Sequence, residues 1–306
     1  MWLRKPVSFV QSQLKYWQLY LIVLLPVIHI IIFSYIPMYG VQIAFKDFMI
    51  NKGIIGSPWV GFKHFEQFFT SFRFWRLLKN TLLISVSDII FSLPVAVAFA
   101  VILNEIRSTR FKKIVQTVTY APYFISTVVL VGMLLQFTDM QNGILNRLIG
   151  IFGGTSVSFM SEPSLFVPIY VLSGLWQKTG YNAIVYLAAL SGVDPQLYDA
   201  VRIDGANKVQ KIIYVDIPAI LPTIVIMLIL SVGSVMNIGF EKIYLMQNPL
   251  NLEASQVIST YVYELGLTKA KYSAASAISF FNSGINCILL VIVNRIARKL
   301  NETSLW

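Results

Sequence analysis

Asn282 and Asn286 stand four residues apart inside an apolar run, so they share one face if that run is helical. Asn237 and Phe240 close a second apolar run. Trp176, Gln177, Tyr181 and Asn182 cluster around Lys178 in a third, and Asp88 interrupts a fourth. Carboxamides and aromatic rings together suit a saccharide, whose hydroxyls need hydrogen bonds and whose C–H faces pack on rings. For any single one of these residues, hydrogen bonding between helices is the commoner use. A saccharide path is the functional alternative. Asp88 and Lys178 are the charged cases. They can pair, or each can lie near an interface with its charge turned to water.

Other chemistries find little support. Cys287 is the single cysteine, which excludes an intramolecular disulfide, and its apolar neighbours point to core packing. His29 and His64 are far apart with no cysteine beside them, so no metal site is legible. The nearest approach to a phosphate-binding loop, Gly-x4-Gly-Lys-Ser/Thr, is Gly56–Gly61, followed by Phe62 instead of lysine. The chain is therefore expected to bind no cofactor and to catalyse no reaction.

The elements that must hold these residues are set by composition. Of 306 residues, 56% are hydrophobic and 12% charged, against about 25% charged in a soluble domain. A membrane is the solvent such a chain requires. Six runs approach the roughly 20 apolar residues needed to cross it: Leu19–Ile36, Thr81–Leu103, Thr117–Phe137, Pro163–Val193, Ile217–Phe240 and Tyr272–Asn294. The fourth is interrupted by Gly174, Lys178 and Gly180. The first lies behind Arg4, Lys5 and Lys15 but lacks a small-x-small cleavage site, and reads as an uncleaved span. The expectation is an all-α, polytopic membrane protein with about six transmembrane helices, forming one domain over residues 1–306.

The net charge of +10 points to lipid headgroups, because the cations sit in loops between apolar runs; no nucleic-acid partner is expected. Six spans put both termini on one side. The segments on that side carry 13 Lys and Arg against 10 in the opposite loops, which favours cytoplasmic termini. Arg73, Arg76 and Lys79 run against this trend. They belong to residues 59–80, where Phe62, Phe65, Phe68, Phe69, Phe72, Phe74 and Trp75 mix with Lys63 and His64. That mixture suits an outer helix lying in the headgroup region; a docking surface for an external partner is the alternative.

Residues 191–218 form the most informative interval. Asp194 can cap a helix and Pro195 fits its first turn. Leu197, Ala200 and Val201 then share a face, and Gly205 can end the helix in the left-handed region. A second short helix is expected from Ala206 to about Val215, with Pro218 starting the return into the membrane. The product is a small-residue knob that fits a groove on another protein.

Asp199-Ala200-Val201-x-x-Asp204-Gly205-Ala206, with Ile217-Pro218 following, resembles the EAA loop of binding-protein-dependent ABC importer permeases, with Asp199 in place of Glu and Val201 in place of Ala. Trp59–Thr81 resembles the block before the second span in carbohydrate-uptake permeases. Tyr35–Phe48 resembles the first-span exit of permeases for larger oligosaccharides. The resemblance implies a type I importer permease (MetI-like) fold in a bacterial cell membrane. It also implies a second permease, two ATPase subunits that use ATP and magnesium, and an extracellular solute-binding protein that delivers an oligosaccharide. Coupling to the ATPase would fall to Asp199, Ala200, Asp204, Gly205, Ala206 and Pro218. A permease of the same fold for an amino acid or phosphate is one alternative. A secondary transporter or channel that needs no ATPase is another, although such a protein has no use for the knob.

Overall fold

A computed structural model describes residues 16–301, and within them the regular structure is helical apart from one isolated bridge between Lys46 and Trp59. Four helices are long and apolar enough to cross a membrane: α1 (Trp17–Phe45), α3 (Phe74–Glu105), α9 (Lys208–Gly233) and α12 (Tyr272–Asn301). A short helix, α2 (Lys63–Phe69), precedes α3, and another, α11 (Ile258–Tyr263), precedes α12. Helices α4 (Thr109–Phe124) and α5 (Thr127–Phe137) are long and apolar enough only when taken together, and they are bent by 96° at their junction. Helix α6 (Ile144–Ile151) follows, and then α7 (Pro163–Ser191), whose 29 residues equal the length of a span. The run from Trp176 to Asn182 makes the middle of α7 too polar to qualify on composition.

The spans differ from their expected limits: α3 starts at Phe74 instead of Thr81, α12 runs on to Asn301, and three others differ more. The run Thr117–Phe137 is a broken helix. Pro122 restricts the turn before the break, Ser126 caps the new helix, and the Gln177 amide of α7 donates to the freed Ile125 carbonyl at 2.9 Å. The fifth span stops at Gly233, leaving Asn237 and Phe240 beyond it. The first runs past Pro37. Wide π turns at Ile31–Tyr35 and Ile212–Asp216 each stand before an Ile-Pro pair, at Pro37 and Pro218. Proline cannot donate to the carbonyl one turn back, and the extra residue of a π turn absorbs that mismatch without breaking the helix. Arg4, Lys5 and Lys15 lie outside the described residues.

Helix α3 is the spine. Towards its end, Ala96, Ala100 and Leu103 pack with Ala183, Tyr186 and Leu190 of α7 and Ile220 of α9. Nearer its start, Ile84 packs with Tyr170 of α7, Val131 of α5 and Ile243 of α10 (Phe240–Met246). Small residues permit close helix approach where lipid supplies no hydrophobic drive. Gly180 is the extreme case, since a Cβ there would lie 2.2 Å from the Thr119 carbonyl oxygen.

At the far end, carboxamides hold the loops. Asn80 donates to the carbonyls of Glu253 and Gln256 at 2.8 and 3.0 Å, and Asn251 and Asn248 both reach Met160 at 2.8 and 2.7 Å. Buried loop backbone needs such partners. The aromatic segment is divided between interior and surface. Phe65 and Phe68 are buried against α12, whereas Phe62, Phe72 and Trp75 are exposed. Arg76 bonds Gln256 and Arg73 stacks over Phe72 and Tyr261, so two of the three discordant cations have partners within the chain. Asp47 joins Lys63 and His64 at 2.7 and 2.9 Å, and the Lys63 hydrogen bond holds its carboxyl below the usual range. Cys287, expected in the core, is exposed on α12.

Candidate functional site

The knob is built locally. Asp194 accepts from the Gln196 N–H at 2.9 Å and starts α8 (Pro195–Ile203). Gly205 ends it with φ +70°, where the Ala206 N–H donates to Val201 and the Gly205 N–H to Arg202, both at 3.1 Å. This pair of bonds is a Schellman motif, and its left-handed residue is costly for anything but glycine. Nothing lies within 4 Å of a Cβ placed on Gly205, so the glycine is needed for backbone conformation and not for space. Asn207 and Gln210 then form a reciprocal capping box. The helix that follows does not stop at Val215. It continues through Pro218 as α9, making knob and span one rod.

Asp199, Ala200, Asp204 and Gly205 are exposed and Ala206 is half-buried; Asp199 pairs only with Arg202, at 3.5 Å. Around them Leu197, Ile203, Val209 and Tyr214 are exposed, and Ile203 retains 87% of its surface. This apolar patch with charged edges is the composition of a protein contact. The knob is also tied down at its base. Tyr198 donates to Asp216 at 2.8 Å, and Asp216 is fully buried. Lys211 lies 3.7 Å from Asp216, pairs with Glu105 at the end of α3, and stacks over the Tyr198 ring. Burial, with the Asp216 carboxylate second, pushes the Tyr198 hydroxyl up to about 12 and keeps it a donor at physiological pH. Sequence patterns missed this network; a charged residue directly before Ile217-Pro218 was its one visible trace.

The polar span residues divide into three groups. Asn182, with Asp88, Ser92, Lys178 and Ser231, lines a cavity of about 360 Å³ between α3, α7 and α9. An adjoining cavity of about 230 Å³ shares Asp88 and Lys178 and adds Asn237. A third cavity, of about 480 Å³, brings together Asn237, Phe240 and Asn282. Asn286 lies apart, accepting from the Met236 N–H at 2.9 Å, while Asn282 donates to Asn237 at 2.8 Å. These two amides pin the turn after α9. Tyr181 stacks on Tyr123 at 3.7 Å, and Trp176 is half exposed on the same helix. Asp88 and Lys178 take part in none of the ion pairs among the described residues.

Residues 79–302 match the family described as binding-protein-dependent transport system inner membrane component. The chain is 39% identical over 303 residues to the polygalacturonan/rhamnogalacturonan transport system permease protein YteP of Bacillus subtilis, covering 99% of this chain and 94% of that one. It is 38% identical over 302 residues to the protein LplB of the same organism, covering 99% and 95%. A chain of the bacterial alginate ABC transporter, solved in complex with an alginate pentasaccharide-bound periplasmic protein, superposes with a TM-score of 0.90 at 35% identity, covering 98% of this chain and 100% of that one. With its knob, broken spans and membrane helices matched along nearly the whole length, the chain belongs to the binding-protein-dependent transport system inner membrane components: it is the non-catalytic, membrane-spanning permease of an ABC importer.

Proposed function

We propose that this permease forms half of the translocation path for an acidic oligosaccharide, delivered by an extracellular solute-binding protein and driven by ATP and magnesium consumed on two separate ATPase subunits. The observation that carries the coupling half is the exposed knob, residues 191–218, whose second helix is continuous with α9 and tied to α3 through Lys211 and Glu105. A groove on an ATPase that takes Leu197 and Ile203 would transmit its motion directly to two spans. The relatives that handle polygalacturonan and alginate support a uronic-acid cargo. Trp176, Gln177, Tyr181, Asn182, Asn237, Phe240, Asn282 and Asn286 are the proposed polar lining. A second, different permease completes the path. In support, residues 16–39 of the first span have no buried side chain, so α1 is left to a partner subunit or lipid. Residues 59–80 form the outer interfacial segment. The knob and both termini lie in the cytoplasm of a bacterial cell.

Vesicles holding the chain with its second permease and ATPases should take up the saccharide only with ATP and loaded binding protein. Uptake by the chain alone, or without ATP, would refute this function. Orientation is tested separately with a cysteine at Lys208 in a Cys287→Ser background. An impermeant thiol reagent should label it in inverted vesicles and not in intact cells; labelling in intact cells would reverse the topology.

A further inference from the structure

Three charged groups converge on one glycine in the middle of the bundle. A Cβ built on Gly174 would lie 3.5 Å from the Asp88 carboxylate and 3.5 Å from the Lys242 ammonium. Lys178 lines the same cavity one helical turn further along α7. Lys242 retains 6% of its surface, and its ammonium donates to the Tyr170 carbonyl at 2.8 Å while resting 4.4 Å from the Tyr170 ring. Lys178 is exposed into the cavity, and among the described residues no carboxylate lies within ion-pair distance of it. Asp88 is near the middle of α3 and Lys178 near the middle of α7. Charges at that depth are costly unless a polar cavity or a partner faces them.

The balance of these charges carries the inference. Across Gly174 the Lys242 amine and the Asp88 carboxylate face each other, which leaves Lys178 as the cation of the cavity with no carboxylate within ion-pair distance among the described residues. Lys242 already has a carbonyl and a ring as partners, and Lys178 has neither. Ser92, Asn182 and Ser231 line the same cavity as Lys178 with hydroxyl and amide groups. Gly174 keeps the space between Asp88 and Lys242 free of side chain. We propose that this station selects cargo by charge: Lys178 receives the carboxylate of a uronate residue, and Asp88 accepts hydroxyls of the same or the next sugar. The assignment rests on the oligosaccharide function proposed above and adds a specificity-determining residue to it. An exposed ammonium also suits a path. It gives a charge-assisted contact strong enough to choose the cargo and weak enough to release it.

The test is uptake by vesicles containing the complete transporter with loaded binding protein. It compares a galacturonate oligosaccharide with its carboxyl-reduced, neutral counterpart. Each variant rate is divided by the wild-type rate for the same sugar, which removes the discrimination due to the binding protein. Lys178→Gln is expected to lower uronate uptake about tenfold relative to the neutral sugar, the loss of one charge-assisted hydrogen bond. Lys178→Arg is expected to keep most of the preference. An equal effect of Lys178→Gln on both sugars, or none on either, overturns the proposal. So does loss of subunit assembly in Lys178→Gln, which would assign the cation to the subunit interface. Wild-type vesicles that take up neither sugar would instead refute the underlying transport function.

Discussion

The knob and the polar cavity are built in opposite ways. The knob is made from the 28 consecutive residues 191–218, whose caps and turn are all local: Asp194 on Gln196, Ala206 on Val201, Asn207 on Gln210. The cavity has no local logic. Asp88, Lys178 and Ser231 come from three helices that are far apart in sequence, and Gln177, in the same polar cluster as Lys178, closes the break between α4 and α5. A locally built element keeps its shape when the bundle around it moves. A cavity assembled from several helices changes shape whenever they do. Under the function proposed above, the knob would serve as the handle and the cavity as the path.

Substitutions at two glycines should separate the two constructions most strongly. Gly205→Val puts a β-branched residue at φ +70°, at a cost of about 1–2 kcal/mol or more. Membrane insertion should survive, because the spans do not depend on that turn. Transport should fall about a hundredfold or more, and loaded binding protein should stimulate ATP hydrolysis less. Normal transport in reconstituted vesicles would show that the turn is only a convenience. Gly180→Leu should act the other way. Its Cβ meets the Thr119 carbonyl at 2.2 Å, and overpacking of that kind costs about 1–3 kcal/mol or more. Detergent-solubilised protein should lose thermal stability and subunit assembly together; an unshifted melting curve would mean that α4 and α7 are not in contact.

A smaller effect should appear where the two constructions meet. Tyr198→Phe removes the donor to buried Asp216, and an unsatisfied buried acceptor costs about 1–3 kcal/mol. Uptake per ATP hydrolysed should drop about five- to tenfold while both permeases and ATPases still copurify. An unchanged ratio would show that the rod α9 carries the motion without this tie. Asp199→Ala should be mildest. Its carboxylate is exposed and its ion pair with Arg202 spans 3.5 Å, and surface pairs of this kind contribute little. Melting should not change, and transport should fall about two- to threefold through loss of one contact to the ATPase. Loss comparable with Gly205→Val would make the charge, and not the turn, the centre of the coupling contact.

The sequence by itself determined the membrane class, the helical architecture, the knob and the left-handed turn at Gly205. Each of these follows from composition or from residues within a few positions of one another, where periodicity, capping and proline or glycine chemistry act directly. Tertiary structure alone decided that the third span is bent, that α9 runs through Pro218 and stops at Gly233, and that Cys287 faces outward. It likewise placed Tyr198, Lys211 and Glu105 around Asp216, and set Asp88 and Lys178 unpaired on one cavity. A helix can accept a proline or a polar side chain wherever a neighbouring helix supplies the missing hydrogen bond or room for an extra residue in the turn. Which neighbour does so is a long-range property that no short stretch of sequence records.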